Sequence, residues 1–307
     1  MPELPEVEVV RHGLAPAVTG ARVESVQVHD TRALTRHAGG AADFEARLAG
    51  RRMLGAARRG KFLWLPLGAP AAAGAAAEVV PEALLVHLGM SGQMLLRESG
   101  APAERHERVR LQVEHPLHGS LDILFCDQRT FGSLAIDRLR ETSDGQPAGR
   151  GAADALVPAQ VAHIARDPLD PAFGDRVFIA ALARKGSGIK RVLLDQTVLS
   201  GVGNIYADEA LWAARIHPET PARELSSRAG ARILAEIRAV LHRALAEGGT
   251  SFDAQYVNVN GQAGYFAHSL HAYGRQGLPC PRCGRSIARA QFMNRSSHFC
   301  PSCQRRR

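Results

Sequence analysis

No uninterrupted apolar run in the 307-residue chain approaches the roughly 20 residues that a membrane-spanning helix needs. Lysine is scarce: Lys61, Lys185 and Lys190 stand against 35 arginines. Acidic residues are missing from the final 33 positions, which hold eight arginines. Cysteine is missing from the body of the chain except at Cys126. The N-terminus lacks the basic and then apolar pattern of a secretory leader, carrying Glu3, Glu6 and Glu8 instead, so a cytoplasmic location is expected. The 30 glycines and 17 prolines follow no period, which excludes collagen, and 45% hydrophobic with 22% charged residues excludes wholesale disorder.

What is present is length for two ordinary domains with a sizeable core, and an excess of positive charge. The net charge of +8 and pI near 9.8 favour a polyanionic partner, nucleic acid first and anionic lipid second; the missing apolar run weakens the lipid option. Against the arginine bias each lysine invites a question, because an ammonium is a compact donor and a guanidinium a planar fork. Lys185 reads as chance retention.

Cys280-x2-Cys283 and Cys300-x2-Cys303 are separated by sixteen residues, the spacing of a four-thiolate zinc site. Two disulfides are the competing reading; zinc is favoured because an intracellular chain with an unpaired fifth cysteine seldom forms them. Four thiolates close the coordination sphere, so a single Zn2+ is expected to be structural. Cys126, in LDILFCD, reads as a buried small hydrophobe.

The pattern predicts a helix over 5–18 with Pro5 at its start and Val7, Val10 and Leu14 on one stripe. Short β-rich runs follow at 23–28, 62–67, 83–88, 108–114 and 121–125, which suggests an antiparallel sandwich or barrel. Residues 69–82 read as an insertion between strands and 140–158 as a linker. Helices are predicted over 158–166, 175–185, 189–199, 204–214 and 226–247, and a loop over 250–275. The chain is thus expected to be an α+β multidomain protein: an N-terminal helix and antiparallel β-sandwich domain (1–145), a helical domain (146–275) and a four-cysteine zinc finger (276–307).

Gly201-x-Gly203-Asn204 lies between two predicted helices, where glycines admit close backbone approach and a helix start aims N–H groups at an anion. Such a turn also serves as a plain connector; the basic context favours a nucleic-acid phosphate over a nucleotide cofactor. At the other end, removal of Met1 would leave Pro2 as a secondary amine titrating near neutrality, able to attack a sugar C1′ and form an iminium. Glu3 could move protons beside it, and Glu6 lies three residues on. Taken alone, these residues read equally as a Pro- and Glu-rich helix start.

PELPEVE at the start, RRGKFL at 58–63, HLGMSG at 87–92, DQRTFG at 127–132, GVGNIYADE at 201–209, YGRQGLPC at 273–280 and the four-cysteine tail occur in an order that resembles bacterial formamidopyrimidine-DNA glycosylase. The resemblance implies excision of oxidised purines, chiefly 8-oxoguanine and formamidopyrimidines, from double-stranded DNA in base excision repair. Strand cleavage by β and δ elimination would follow. It implies Pro2 as Schiff-base nucleophile, Glu3 as general acid on the deoxyribose, Glu6 as supporting carboxylate, Lys61 as contact to the phosphate beside the lesion and Arg295 as the finger arginine gripping phosphates. Met90, Arg129 and Phe131 resemble residues that fill the gap left by an extruded nucleotide. Asn204 is similar to the phosphate-binding asparagine of a helix–two-turns–helix motif, and Lys190 to a second phosphate-binding or structural lysine. A nucleoid-associated monomer with no membrane partner and no nucleotide cofactor is expected.

The sequence departs from the family at Thr130, where a second basic residue is common, and in the longer 69–82 stretch; residues 258–270 would form the lid over the extruded base. Two other readings are an endonuclease VIII-like glycosylase for oxidised pyrimidines and a non-catalytic zinc-dependent DNA binder. PELPEVE and the intact Arg129-x-Phe131 argue against the first.

Overall fold

A computed structural model describes residues 2–70, 80–250, 259 and 264–306. Helix α1 (Leu4–Val18) begins with Pro5 in its first turn and a reciprocal cap. The Glu3 side chain accepts the Glu6 N–H, and the Glu6 carboxylate accepts the Glu3 N–H at 2.8 Å. Its Val7, Val10, Leu14 and Val18 stripe is fully buried. Strand β1 (Arg22–Val28) follows, and then α2 (Gly40–Leu48), which the pattern did not anticipate. That helix is short and glycine-led, and it is held by burying Phe44 and Leu48.

Eight more strands complete this part: β2 (Ala57–Arg59), β3 (Phe62–Leu67), β4 (Glu82–His87), β5 (Gly92–Glu98), β6 (Glu107–His115), β7 (Gly119–Asp127), β8 (Ser133–Glu141) and β9 (Leu156–Pro158). They form two antiparallel sheets, ordered β1-β6-β7-β5 and β2-β3-β4-β8-β9. Met94, Leu111, Ile123 and Phe125 from the first sheet meet Leu63, Leu65, Leu84, Val86 and Ile136 from the second in one core, which α1 and α2 also enter. Period-2 alternation sends Leu95, Leu124 and Cys126 to a separate cluster. Burial pushes the Cys126 thiol up to about 12, in keeping with an inert hydrophobe.

The chain forms two compact units, residues 1–163 with 250–264, and residues 164–249 with 265–307. In the second unit α3 (Asp175–Ala183), α4 (Ile189–Leu193), α5 (Asn204–Ala214) and α6 (Ser227–Ala246) precede a hairpin of β10 (Ala288–Phe292) and β11 (Arg295–Phe299). Ser226 caps α6 through the Ala229 N–H.

Three expectations need correction. Residues 158–166 are not helical: Pro158 ends β9 and turns follow, because the Ala159 and Gln160 amides are taken by Arg138 O and Asp137 Oδ2 along β8. The helix over 189–199 stops at Leu193, since the Asp195 carboxylate captures the Thr197 N–H and hydroxyl and so competes with the helical ladder. The stretch 140–158 is no free linker: Arg58 and Arg150 exchange two backbone bonds and β9 pairs with β8. Of the 69–82 insertion, residues 71–79 lie outside the described residues, as does most of the 258–270 lid.

Glu8 on α1 accepts from Arg58 Nε and Arg11 Nη2, both at 2.8 Å, and Arg58 also donates to Gly60 O at 3.0 Å. Burial pushes the Glu8 carboxyl up, but the Arg11 and Arg58 guanidinium groups outweigh it and hold the group below its ordinary 4.5. Its stabilisation is therefore complete above that value and lost as pH falls through the lower folded-state value. Glu8→Gln is expected to cost roughly 3 kcal/mol near neutrality by leaving the buried Arg58 guanidinium without its carboxylate. In urea unfolding the gap to the unaltered protein should close progressively below pH 4.5.

Candidate functional site

The first unit gathers Pro2, Glu3, Glu6, Lys61, Met90, Arg129 and Phe131. Pro2 is buried at the head of α1, and Glu3 and Glu6 are each 1% exposed. The Glu6 carboxylate is a junction: besides the Glu3 N–H it accepts the Thr250 N–H and hydroxyl, each at 2.8 Å. The residue next to Pro2 is thereby tied, through Glu6, to both the helix and Thr250.

Lys61 occupies the tight β2–β3 turn, whose Gly60 carbonyl is held by Arg58. The Glu8–Arg58 ion pair thus ties the turn bearing Lys61 to the helix bearing Pro2. His87, the β4 residue paired with Phe62, is lowered to about 4 by burial and by the positive charges of Arg36 and Lys61. Its imidazole is neutral, and Nδ1 accepts the Gly89 N–H at 3.2 Å.

Met90, Arg129 and Phe131 project from two loops that touch. A Cβ on Gly89 would lie 2.4 Å from the Phe131 carbonyl carbon and the Gly132 nitrogen, so only glycine permits the approach. Asp127, 1% exposed, sews the loops together: Oδ1 accepts from Ser91 Oγ at 2.6 Å and from the Arg129 N–H at 3.1 Å, while Oδ2 accepts the Gly132 N–H at 2.7 Å. The side chains so presented are unusually exposed for their type, Met90 at 42% and Phe131 at 61%, with Arg129 exposed between them. Thr130 sits at φ 53, a left-handed conformation that throws its neighbours outward.

The second unit holds Lys190, Asn204, Arg295 and the four cysteines. Gln196 fixes the glycine turn, accepting the Gly201 N–H and donating to Val202 O, both at 3.0 Å. Asn204 opens α5 and is 7% exposed; Nδ2 donates to Ser296 O, and Oδ1 has no hydrogen-bond partner among the described residues. Arg295 is exposed at the start of β11. Lys190 is 0% exposed, its Nζ 2.7 Å from Asp208 Oδ1, so of its two readings the structural one describes its place. Lys185 makes a surface pair with Asp195.

The four Sγ atoms lie within 4.8 Å of one another. A tetrahedral site with Zn–S near 2.3 Å needs sulfur separations of about 3.8 Å, so the set fits one zinc. Trp212 Nε1–H points at Cys280 Sγ at 3.4 Å, and the Cys303 N–H at Cys300 Sγ at 3.4 Å, donors that suit thiolates. Cys280, Cys283, Cys300 and Cys303 hold one structural Zn2+.

Sequence reasoning passed over Glu8, Arg58, His87, Asp127, Asp208 and Glu209. The signal for the last two was present: α5 is apolar all round, so two charges within it must be buried and paired.

Three families match in order: the formamidopyrimidine-DNA glycosylase N-terminal domain over residues 1–134, the formamidopyrimidine-DNA glycosylase H2TH domain over 164–255, and a zinc finger found in FPG and IleRS over 277–306. A formamidopyrimidine-DNA glycosylase of Leifsonia xyli is 62% identical over 99% of this chain and 100% of its own length; that of Nocardia farcinica is 55% identical over 100% and 99%. The Lactococcus lactis Fpg in complex with DNA containing an abasic site superposes with a TM-score of 0.78 at 28% identity, covering 99% of this chain and 100% of that one.

Asp127→Asn replaces an acceptor for three donors with a group that accepts at one atom only. The loss of one or two charge-assisted bonds, about 2 kcal/mol, should raise amide hydrogen exchange at Arg129 and Gly132 by roughly thirtyfold. Unchanged exchange there would show that Asp127 does not hold the loops.

Proposed function

The chain belongs to the formamidopyrimidine-DNA glycosylase family, and from that premise we propose how its residues carry out the excision of oxidised purines from double-stranded DNA and the lyase step that follows. The observation that supports the reading most directly is the junction at the chain start, where Glu3 and Glu6 are buried, reciprocally capped and tied to Thr250 around Pro2.

Once Met1 is removed, the Pro2 nitrogen is a secondary amine with a lone pair available near neutral pH. It attacks C1′ of the damaged nucleotide; the N-glycosidic bond breaks, and the base leaves with its electron pair and takes up a proton. Glu3 is the general acid that protonates the deoxyribose ring oxygen, opening the sugar to an iminium on Pro2. Loss of a C2′ proton expels the 3′ phosphate, and a second elimination expels the 5′ phosphate. Glu6 acts as the supporting carboxylate that keeps Glu3 in register.

The nucleotide must leave the stack, at a cost of a few kcal/mol. Met90 and Phe131 are held in water beforehand, and burying both in the vacated space contributes roughly 2–4 kcal/mol, the same order as that cost. Arg129 beside them donates to the estranged base. Lys61, Asn204 and Arg295 contact phosphates, and the zinc shapes the finger that presents Arg295 without taking part in bond making. We assign these roles to an N-terminal module (1–145), a helical module (146–275) and the finger (276–307), and place the enzyme in the bacterial cytoplasm at the nucleoid.

Borohydride is expected to trap wild-type protein covalently on a duplex containing 8-oxoguanine. Pro2→Gly, and an uncleaved N-terminal extension that converts the amine to an amide, should lower trapping by about a thousandfold or more while duplex binding persists. Full trapping by the extended protein would exclude Pro2 as nucleophile. Removal of zinc by a chelator is expected to weaken duplex binding at least about tenfold, with the trapped fraction per bound complex unchanged.

A further inference from the structure

Lys190 is the most buried charge in the second unit that the reaction scheme leaves unused. Its ammonium lies 2.7 Å from Asp208 Oδ1, donates to Ser296 O at 3.1 Å and stands 4.7 Å from the centroid of the Phe292 ring. Asp208, 1% exposed, is the hub of this contact: it also accepts from Ser297 Oγ at 3.2 Å and from the His298 N–H at 2.8 Å. Asn204 Nδ2 reaches the same Ser296 carbonyl. Three successive residues at the start of β11 are therefore gripped from α4 and α5, directly beside Arg295.

We propose that the Lys190–Asp208 pair is a positioning device for Arg295, setting the phosphate-gripping strand of the finger against the phosphate-binding start of α5. The inference rests on the reading of Arg295 as a phosphate contact. The four cysteines flank the hairpin, so a bound zinc would hold it at the Ala288–Phe299 end, whereas Arg295 lies five residues before Cys300, next to the Met293–Asn294 turn. At its arginine end the strand is held by the buried pair, by Asn204 and by its pairing with β10. The pair also accounts for a lysine in a chain that otherwise uses arginine: a carboxylate oxygen, a carbonyl and a ring face close around an ammonium, whereas a planar guanidinium with five donors does not fit so compact a site. A buried ammonium is costly unless paired, so a lysine kept here has its role in the contact.

The test uses the full zinc-loaded protein and a duplex carrying an abasic-site analogue, with affinity measured against salt. Arg295→Ala should weaken binding and lower the salt slope by about one, reporting one lost phosphate contact. Lys190→Met should do the same, with zinc content unchanged and an undiminished trapped fraction at saturating protein. Added to Arg295→Ala, it should cost less than about twofold more, because it acts through that arginine. Equal losses from Lys190→Met in both backgrounds, or an unchanged salt slope, would overturn the proposal. If Arg295→Ala alone leaves binding intact, the reading of Arg295 fails, and with it the premise of the positioning role. Lys190→Met combined with Asp208→Asn removes both charges yet keeps an acceptor for the His298 amide. This second variant should show the same loss where the single one does not fold, and wild-type affinity and slope in it would equally overturn the proposal.

Discussion

A carboxylate sealed from water must be met by N–H groups or cations, and in this protein the groups that meet it belong to the segments carrying the contact residues. Asp127 gathers the loops of Met90, Arg129 and Phe131; Glu6 gathers the head of α1 and Thr250; Glu8 joins α1 to the turn of Lys61; Asp208 gathers the start of β11. Arg129 and Phe131 thus stand at or beside a backbone amide captured by Asp127, and Arg295 stands three positions from the His298 amide captured by Asp208. The division of labour has an electrostatic logic. Carboxylates withdrawn into the interior hold the frame without adding negative charge to a surface that must approach phosphate, and the arginines left outside keep a favourable potential.

The same constraint explains why loops, rather than sheet interiors, can present such side chains with small positional error. A wedge that enters a duplex has to be rigid before it enters, because ordering it during binding would consume the energy its burial supplies. The contact between Gly89 and the Phe131 backbone, together with the bonds to Asp127, does that ordering in the free protein.

Much of this was legible in the sequence. The N-terminal helix, five of the nine strands of the first unit and the thiolate quartet follow from periodicity and spacing, whereas β2, β5, β8 and β9 were not anticipated. Helices over 158–166 and 189–199 were misread for different reasons: the amides of Ala159 and Gln160 are claimed by β8, which no local pattern reports, whereas the capture of Thr197 by Asp195 is a local signal that competes with the helical ladder. Lys190 shows the limit at the site. Its rarity marked it, yet whether its ammonium met a phosphate or a carboxylate depended on a partner eighteen positions away, buried in α5. Asp127 lay within a motif already singled out and still went unremarked, since its role is to hold neighbours rather than to face outward.

In α5, Asn204 and Asp208 share a face because four residues make just over one turn, whereas Glu209 is rotated by about 100° from Asp208 and instead receives the amides of His271, Ala272 and Tyr273. One helix therefore grips two returning arms of the chain at angles set by its own pitch. A single inserted or deleted residue between positions 204 and 209 would swing both grips out of phase at once. Drift in length among descendants of this chain should therefore be purged from that stretch of α5.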